Sequence, residues 1–206
     1  FGTNLGMNNV CFADAFRPEF GCAVQLDNDA NCAALGEATA GSAKGARNMV
    51  MVTLGTGVGG GIIIDGKLYT GSNGIAGEIG HIVIQRDGEQ CGCGRKGCLE
   101  AYTSAASFVK FAERALAEGR KSILQKNAGH LDAKMIGDAV DAGDALAREL
   151  FDEYCVNLSI GLANFINIFQ PESIVLGGGL AGYGEKLLEP LRRLTLPQTF
   201  QSDARN

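Results

Sequence analysis

The chain has 206 residues, the size of one ordinary domain or slightly more, and is long enough to bury a core without disulfide staples. Hydrophobic residues make up 46% and charged residues 20%, which excludes wholesale disorder, and the 30 glycines fall in clusters without a three-residue period, which excludes collagen. A net charge of −5 lacks the basic footprint of a nucleic-acid binder, and no apolar run reaches the ~18 residues of a membrane helix.

In chain order, residues 1–23 read as loops around one short apolar stretch, and Cys22–Leu26 as a short strand. Asp29–Ala46 is alanine-rich and helix-prone, with Asn28 or Asp29 as its N-cap. Met49–Leu54 is an apolar run of strand length. The glycine loop Gly55–Gly61 follows, then a second strand at Ile62–Ile64. Asp65-Gly66 predicts a two-residue hairpin turn into a third strand at Lys67–Tyr69. Ile82–Ile84 reads as a further short strand and residues 85–100 as irregular.

From Ser104 the pattern turns helical. Phe108, Ala112, Ala115 and Leu116 share one face, and Gly119 suits the stop. Further helices are predicted over 132–141, 144–168 and 184–195. The longest carries Leu146, Leu150, Tyr154, Leu158, Leu162, Phe165 and Phe169 along one side. Ser173–Leu176 is a buried strand, followed by the tight turn Gly177–Gly179. A meander followed by helical crossovers makes the fold class α/β with a mixed sheet.

Three stretches carry chemistry. Gly55-Thr56-Gly57-Val58-Gly59-Gly60-Gly61 joins two strands, and its backbone amides can converge on a phosphate, with Thr56 adding a hydroxyl. It is neither a P-loop nor a dinucleotide fingerprint, because no Gly-Lys-Ser/Thr and no helix follows. Gly177-Gly178-Gly179 links a strand end to a helix start, which suits either a ligand or close backbone packing. Cys91, Cys93 and Cys98, with His81 ten residues upstream of the first, offer three thiolates and an imidazole, the donor set of a structural zinc site. Seven cysteines in all, an odd number, predict a reducing, cytoplasmic home rather than a disulfide framework. Asp29, Glu78 and Glu100 stand beside these loops. Each has an ordinary reading, as helix cap or solvated side chain, and together they suit a polyol.

Five segments occur in a shared order: Asn28-Asp29-Ala30-Asn31 with Ala34-Leu35-Gly36-Glu37; Leu54–Gly61; Gly77-Glu78-Ile79-Gly80-His81; Cys91–Glu100; and Ile174–Gly179. In this they resemble the ROK family of bacterial sugar kinases, glucokinases and sugar-responsive repressors. The resemblance implies an actin/hexokinase-like ATPase fold with two ribonuclease-H-like lobes and a structural zinc loop. It implies ATP-dependent phosphorylation of a hexose, with Asp29 as catalytic base and Asn28, Asp29, Glu78, His81 and Glu100 holding sugar hydroxyls. It further implies zinc on His81, Cys91, Cys93 and Cys98, ATP phosphates with Mg²⁺ at Gly55, Thr56 and Gly57, and adenosine near Gly177, Gly178 and Gly179. Residues 1–27 would then be the tail of a small lobe and 28–206 most of a large one. The family's first phosphate motif, an Asp-x-Gly-x-Thr-like hairpin, is absent from the sequence, and the chain lacks an initiator Met. A fragment of a longer kinase, inactive by itself, is the expectation, along with a homodimer.

Two rivals stand beside this reading. One is a sugar-responsive repressor of the same family, which would need an upstream helix-turn-helix to meet nucleic acid. The other is a zinc-stabilised interaction module without catalysis.

Overall fold

The computed structural model describes residues 11–24 and 26–200. Four strands form one mixed sheet: β1 (Met49–Leu54), β2 (Val58–Ile64), β3 (Lys67–Leu68) and β4 (Ser173–Gly177), in the spatial order β3-β2-β1-β4. β1 pairs antiparallel with β2 and parallel with β4, and β2 pairs antiparallel with β3. The hairpin turn is as predicted, with Asp65 and Gly66 at φ 51° and 76°.

The helices are α1 (Phe12–Phe20), α2 (Asp29–Thr39), α3 (Glu100–Thr103), α4 (Ala105–Ala117), α5 (Ala133–Asp141), α6 (Ala145–Phe169) and α7 (Glu185–Thr195). β1 explains the layers, because its side chains alternate between the two faces of the sheet. Val50, Val52 and Leu54 enter the large core, with Phe108 of α4, Ile136 of α5 and Leu158, Leu162 and Phe165 of α6. Met49 and Met51 enter a smaller cluster with Ile63 and Ala34 of α2. A strand buried on both faces has no polar alternation, which is why it reads as a continuous apolar run.

The predicted face of α4 is the buried one: Phe108, Ala112, Ala115 and Leu116. On α6 the predicted side is also the inner one, with Leu150 and Phe169 at its half-buried margin. Asp144 caps α6, accepting from the Ala147 amide at 2.9 Å.

Several expectations need correction. Residues 22–24 and 26 form no strand, and the sheet offers no partner there; Gln25 lies outside the described residues. Residues 12–20 are helix rather than loop, and the available signal is the i, i+4 spacing of Phe12, Phe16 and Phe20, whose successive ring centroids lie 6.2 and 5.9 Å apart. The rest of the loop expectation, over residues 1–10, lies outside the described residues. The helix begun at Asp29 ends at Thr39, and the β3 strand at Leu68. Ile82–Ile84 makes only an isolated bridge, Val83 to Cys98.

The glycine loop is the most informative correction. Only Gly55–Gly57 turn; Gly59, Gly60 and Gly61 lie inside β2. A Cβ on Gly59 would stand 2.6 Å from Thr53 Oγ1, one on Gly60 2.7 Å from the Gly77 carbonyl, and one on Gly61 2.5 Å from the Ala34 methyl. These glycines let α2 and the segment at Gly77 approach the strand, so close packing rather than anion binding accounts for them.

Candidate functional site

At the start of α2, Asn28 is the N-cap. Its Oδ1 accepts from the amides of Ala30 and Asn31, at 2.9 and 3.4 Å. This leaves the Asn28 amide nitrogen as its outward donor. Asp29 is the first helical residue and exposed, and one of its oxygens accepts from the Ala30 amide at 2.9 Å.

The β1–β2 turn is closed by Gly55 N–H donating to the Gly57 carbonyl at 3.0 Å, and Ala105 N–H of α4 donates to the Gly55 carbonyl at 2.8 Å. Thr56 is exposed at its tip. Glu100, at the start of α3, reaches this turn: its Oε2 accepts from the Val58 amide at 2.9 Å. Its other oxygen lies 3.6 Å from Cys91 Sγ and 4.0 Å from His81 Nδ1. The carboxylate is therefore no solvated side chain. It is 24% exposed and ties the glycine turn to the cysteine loop.

The ligand atoms of His81, Cys91, Cys93 and Cys98 all lie within 4.8 Å of one another. Cys93 Sγ and Cys98 Sγ are 3.6 Å apart, as are Cys91 Sγ and His81 Nδ1. Tetrahedral thiolate ligands about 2.3 Å from a zinc ion would be ~3.7 Å apart, so the donor set and its spacing fit such an ion. The loop is shaped by Cys91 N–H donating to the Arg95 carbonyl, Gly97 N–H to the Glu89 carbonyl, and Arg95 Nη2 to the His81 carbonyl at 2.6 Å.

Burial pushes the Cys91 thiol up to about 12 and also raises Cys98. Hydrogen bonds from the Arg95 amide and guanidinium bring exposed Cys93 down to about 6. A divalent cation opposes the burial effect by favouring thiolates. The base of the loop is clamped by Glu89, whose carboxylate takes Arg114 at 2.6 Å and Lys110 at 2.8 Å. The Arg114 guanidinium and the Lys110 ammonium hold that carboxyl down, at about 2.

The predicted residues are distributed over three cavities. Asn28 and Glu78 line one of about 140 Å³, with Gly59, Gly60 and Gly77. Thr56, Gly57, Cys91 and Glu100 line a second of about 450 Å³, with Ser107 and Lys110. Gly179 lines a third of about 540 Å³ with Ala105, Tyr183 and Lys186. Asp29, at the mouth of α2, and His81, on the cysteine side, line none of the three. Gly177 and Gly178 resolve toward packing: Gly178 has φ 84°, and a Cβ there would be 2.5 Å from the Leu54 carbonyl. Gly179, with open space around it, is the member that faces a cavity. The sequence reading missed Asn31, which lines the first cavity although it stands inside a segment already singled out.

Among known proteins, the family model described as "ROK family" matches residues 1–206. The glucokinase of Halalkalibacterium halodurans is 43% identical over 194 residues, covering 92% of this chain and 59% of that protein. A ROK family glucokinase from Streptomyces griseus, solved in complex with glucose and AMPPNP, superposes with a TM-score of 0.82 at 37% identity, covering 94% of this chain and 64% of that one. A ROK family transcriptional regulator, a homolog of the E. coli MLC protein, superposes with a TM-score of 0.83 at 28% identity, covering 94% and 49%. The chain thus spans about three fifths of the length of the glucokinases it matches. The α/β, actin/hexokinase-like fold with a mixed sheet and helical crossovers agrees with these likenesses.

Proposed function

The chain belongs to the ROK family, and from that premise we propose that it forms the larger part of an ATP-dependent hexose kinase of the glucokinase type. The observation that carries the reading is the Glu100 carboxylate, which accepts the Val58 amide beside the turn proposed for phosphate while its other oxygen lies 3.6 Å from Cys91 Sγ of the cysteine loop. The Streptomyces griseus relative, with glucose and AMPPNP bound, supports the same two substrates here.

In this reading Asp29 takes the proton of the attacking hydroxyl, that oxygen bonds to the γ-phosphorus, and ADP leaves. Such general-base help is worth roughly 10²–10⁴-fold, within a reaction governed mostly by positioning and charge. Asn28, Glu78, His81 and Glu100 hold sugar hydroxyls. The Gly55–Gly57 turn holds ATP phosphates that arrive with Mg²⁺, and the Gly177–Gly179 segment lies by the adenosine.

His81, Cys91, Cys93 and Cys98 would hold a structural zinc, which would supply a cross-link for the loop. With Nδ1 toward the sulfurs, His81 keeps Nε2 for a hydroxyl. The described part of residues 1–27 is read as the tail of a small lobe, and that of 28–206 as most of a large one. A cytoplasmic homodimer is part of this reading. Among the described residues no helix is long and apolar enough to cross a membrane.

The reaction belongs to a protein of the relatives' full length. The 206 residues alone lack the first phosphate hairpin and are inactive in this reading. A coupled ADP-release screen of the full-length protein against a panel of hexoses tests it, and absence of turnover with every hexose removes it. The likeness to the transcriptional regulator favours a second reading, a sugar-responsive repressor. An exposed Asp29 at a helix N-terminus supports the kinase, and operator binding without ADP release would reverse that choice.

A further inference from the structure

Asn31 sits in the first turn of α2 and is 3% exposed. Its Nδ2 donates to Asp27 Oδ1 at 2.7 Å, and the same oxygen accepts the Asn28 amide at 2.7 Å. A carboxylate oxygen only accepts, so this pair fixes the orientation of the Asn31 amide: nitrogen to Asp27, oxygen away from it. That oxygen, Oδ1, is buried and has no hydrogen-bond partner among the described residues.

Buried acceptors are nearly always satisfied, and an orphan one calls for a donor beyond the described residues. Asn31 lines the 140 Å³ cavity together with Asn28 and Glu78, between the glycines of β2 and Gly77. The glycines keep the approach open. A Cβ on Gly77 would lie 3.9 Å from Oδ1 and 3.0 Å from the Gly60 carbonyl. The other polar side chains at this cavity, Asn28 and Glu78, are residues assigned above to sugar hydroxyls.

We propose that Asn31 Oδ1 accepts a hydrogen bond from one hydroxyl of the bound hexose, seated in this cavity, and so determines sugar specificity. The proposal rests on the sugar-kinase reading above and adds a contact to it. The site offers an acceptor there, so it favours a hydroxyl and rejects a deoxy position, where the oxygen stays unpaired. The bond to Asp27 is a separate, positioning role, since it steadies the backbone that presents Asn28 and Asp29.

The test is a cycle of protein and substrate changes on the full-length kinase. Dissociation constants are measured calorimetrically for the preferred hexose and its mono-deoxy analogues, with wild type, Asn31→Ala and Asp27→Asn. Contact predicts that one deoxy analogue loses at least tenfold against the parent sugar in wild type and less than twofold in Asn31→Ala, while the other positions keep their losses. Asp27→Asn weakens all the sugars together and preserves the deoxy pattern. Equal deoxy losses in wild type and Asn31→Ala at every position overturn the contact and leave Asn31 a structural residue. Failure of wild type to bind any hexose removes the kinase reading itself, and this inference with it. Should Asn31→Ala not fold, the Asn31 side-chain amide resonances of ¹⁵N-labelled wild type decide instead. They shift with the parent sugar and not with the critical analogue, and equal shifts, or none, overturn the contact.

Discussion

Glu100 Oε2 accepts the Val58 amide at 2.9 Å across 42 residues of chain. Val58 opens β2 directly after the glycine turn, and Glu100 opens α3 two residues after Cys98. One carboxylate therefore sets the position of both loops. It also explains Gly57, where a Cβ would lie 2.6 Å from the same oxygen.

Glu100→Ala leaves a buried amide without its acceptor, at a cost of about 1–3 kcal/mol. Urea titration is expected to show a lowered midpoint with an unchanged slope. Glu100→Gln keeps an acceptor oxygen and loses less. Equal stability of Glu100→Ala and wild type would show that the Val58 amide finds another partner.

The cysteine loop is expected to hold one zinc ion per chain by elemental analysis. Cys93→Ser removes a ligand from the exposed edge of the cluster and loses the metal. Chelation of wild type is then expected to lower its melting temperature, while the variant, already metal-free, shows no further change. Full zinc retention by Cys93→Ser would move the site elsewhere.

Asp29→Asn in the full-length kinase keeps the size of the side chain and removes its basicity. Sugar affinity stays within a few-fold and turnover falls by roughly 10²–10⁴. Lost sugar binding with chemistry intact would make Asp29 a binding residue only.

Two glycine variants separate packing from ligand contact. Gly60→Ala drives a methyl against Ile79 and the Gly77 carbonyl and is expected to destabilise by about 1–3 kcal/mol. Gly55→Ala meets nothing within 4 Å, so thermal melting stays near wild type. In the full-length kinase the same Gly55→Ala change weakens ATP by crowding the phosphate turn. Unchanged ATP affinity would remove Gly55 from the nucleotide site.

Acid stability turns partly on Asp144. Burial alone would raise its pKa, but the amides of Ala147 and Ile123 and the Ser122 hydroxyl outweigh burial and hold the carboxyl below its ordinary value. A depressed carboxylate stabilises fully above its unfolded pKa of about 3.9, and that contribution is lost as pH falls below it. Asp144→Asn keeps a helix cap without the charge. Its stability is expected to fall less than wild type between about pH 5 and pH 3. Parallel acid titrations of the two proteins would exclude this role.

The sequence by itself determined the elements whose cause is local. The apolar run of β1, the Asp65-Gly66 turn, and the faces of α4 and α6 follow from periodicity and turn chemistry, which neighbouring residues set without help. The donor set His81, Cys91, Cys93 and Cys98 was legible for the same reason: residue type alone says what each side chain can ligate. Tertiary structure alone decided that Gly59–Gly61 belong to a strand pressed by α2, that residues 22–24 and 26 have no strand partner, and that Glu100 spans two loops. It alone left Asn31 Oδ1 buried without a donor among the described residues, in a residue that lines a cavity. These depend on which distant backbone comes within 3 Å of a given atom, and that distance is fixed by packing the whole sheet between its helices, not by any stretch of chain read alone.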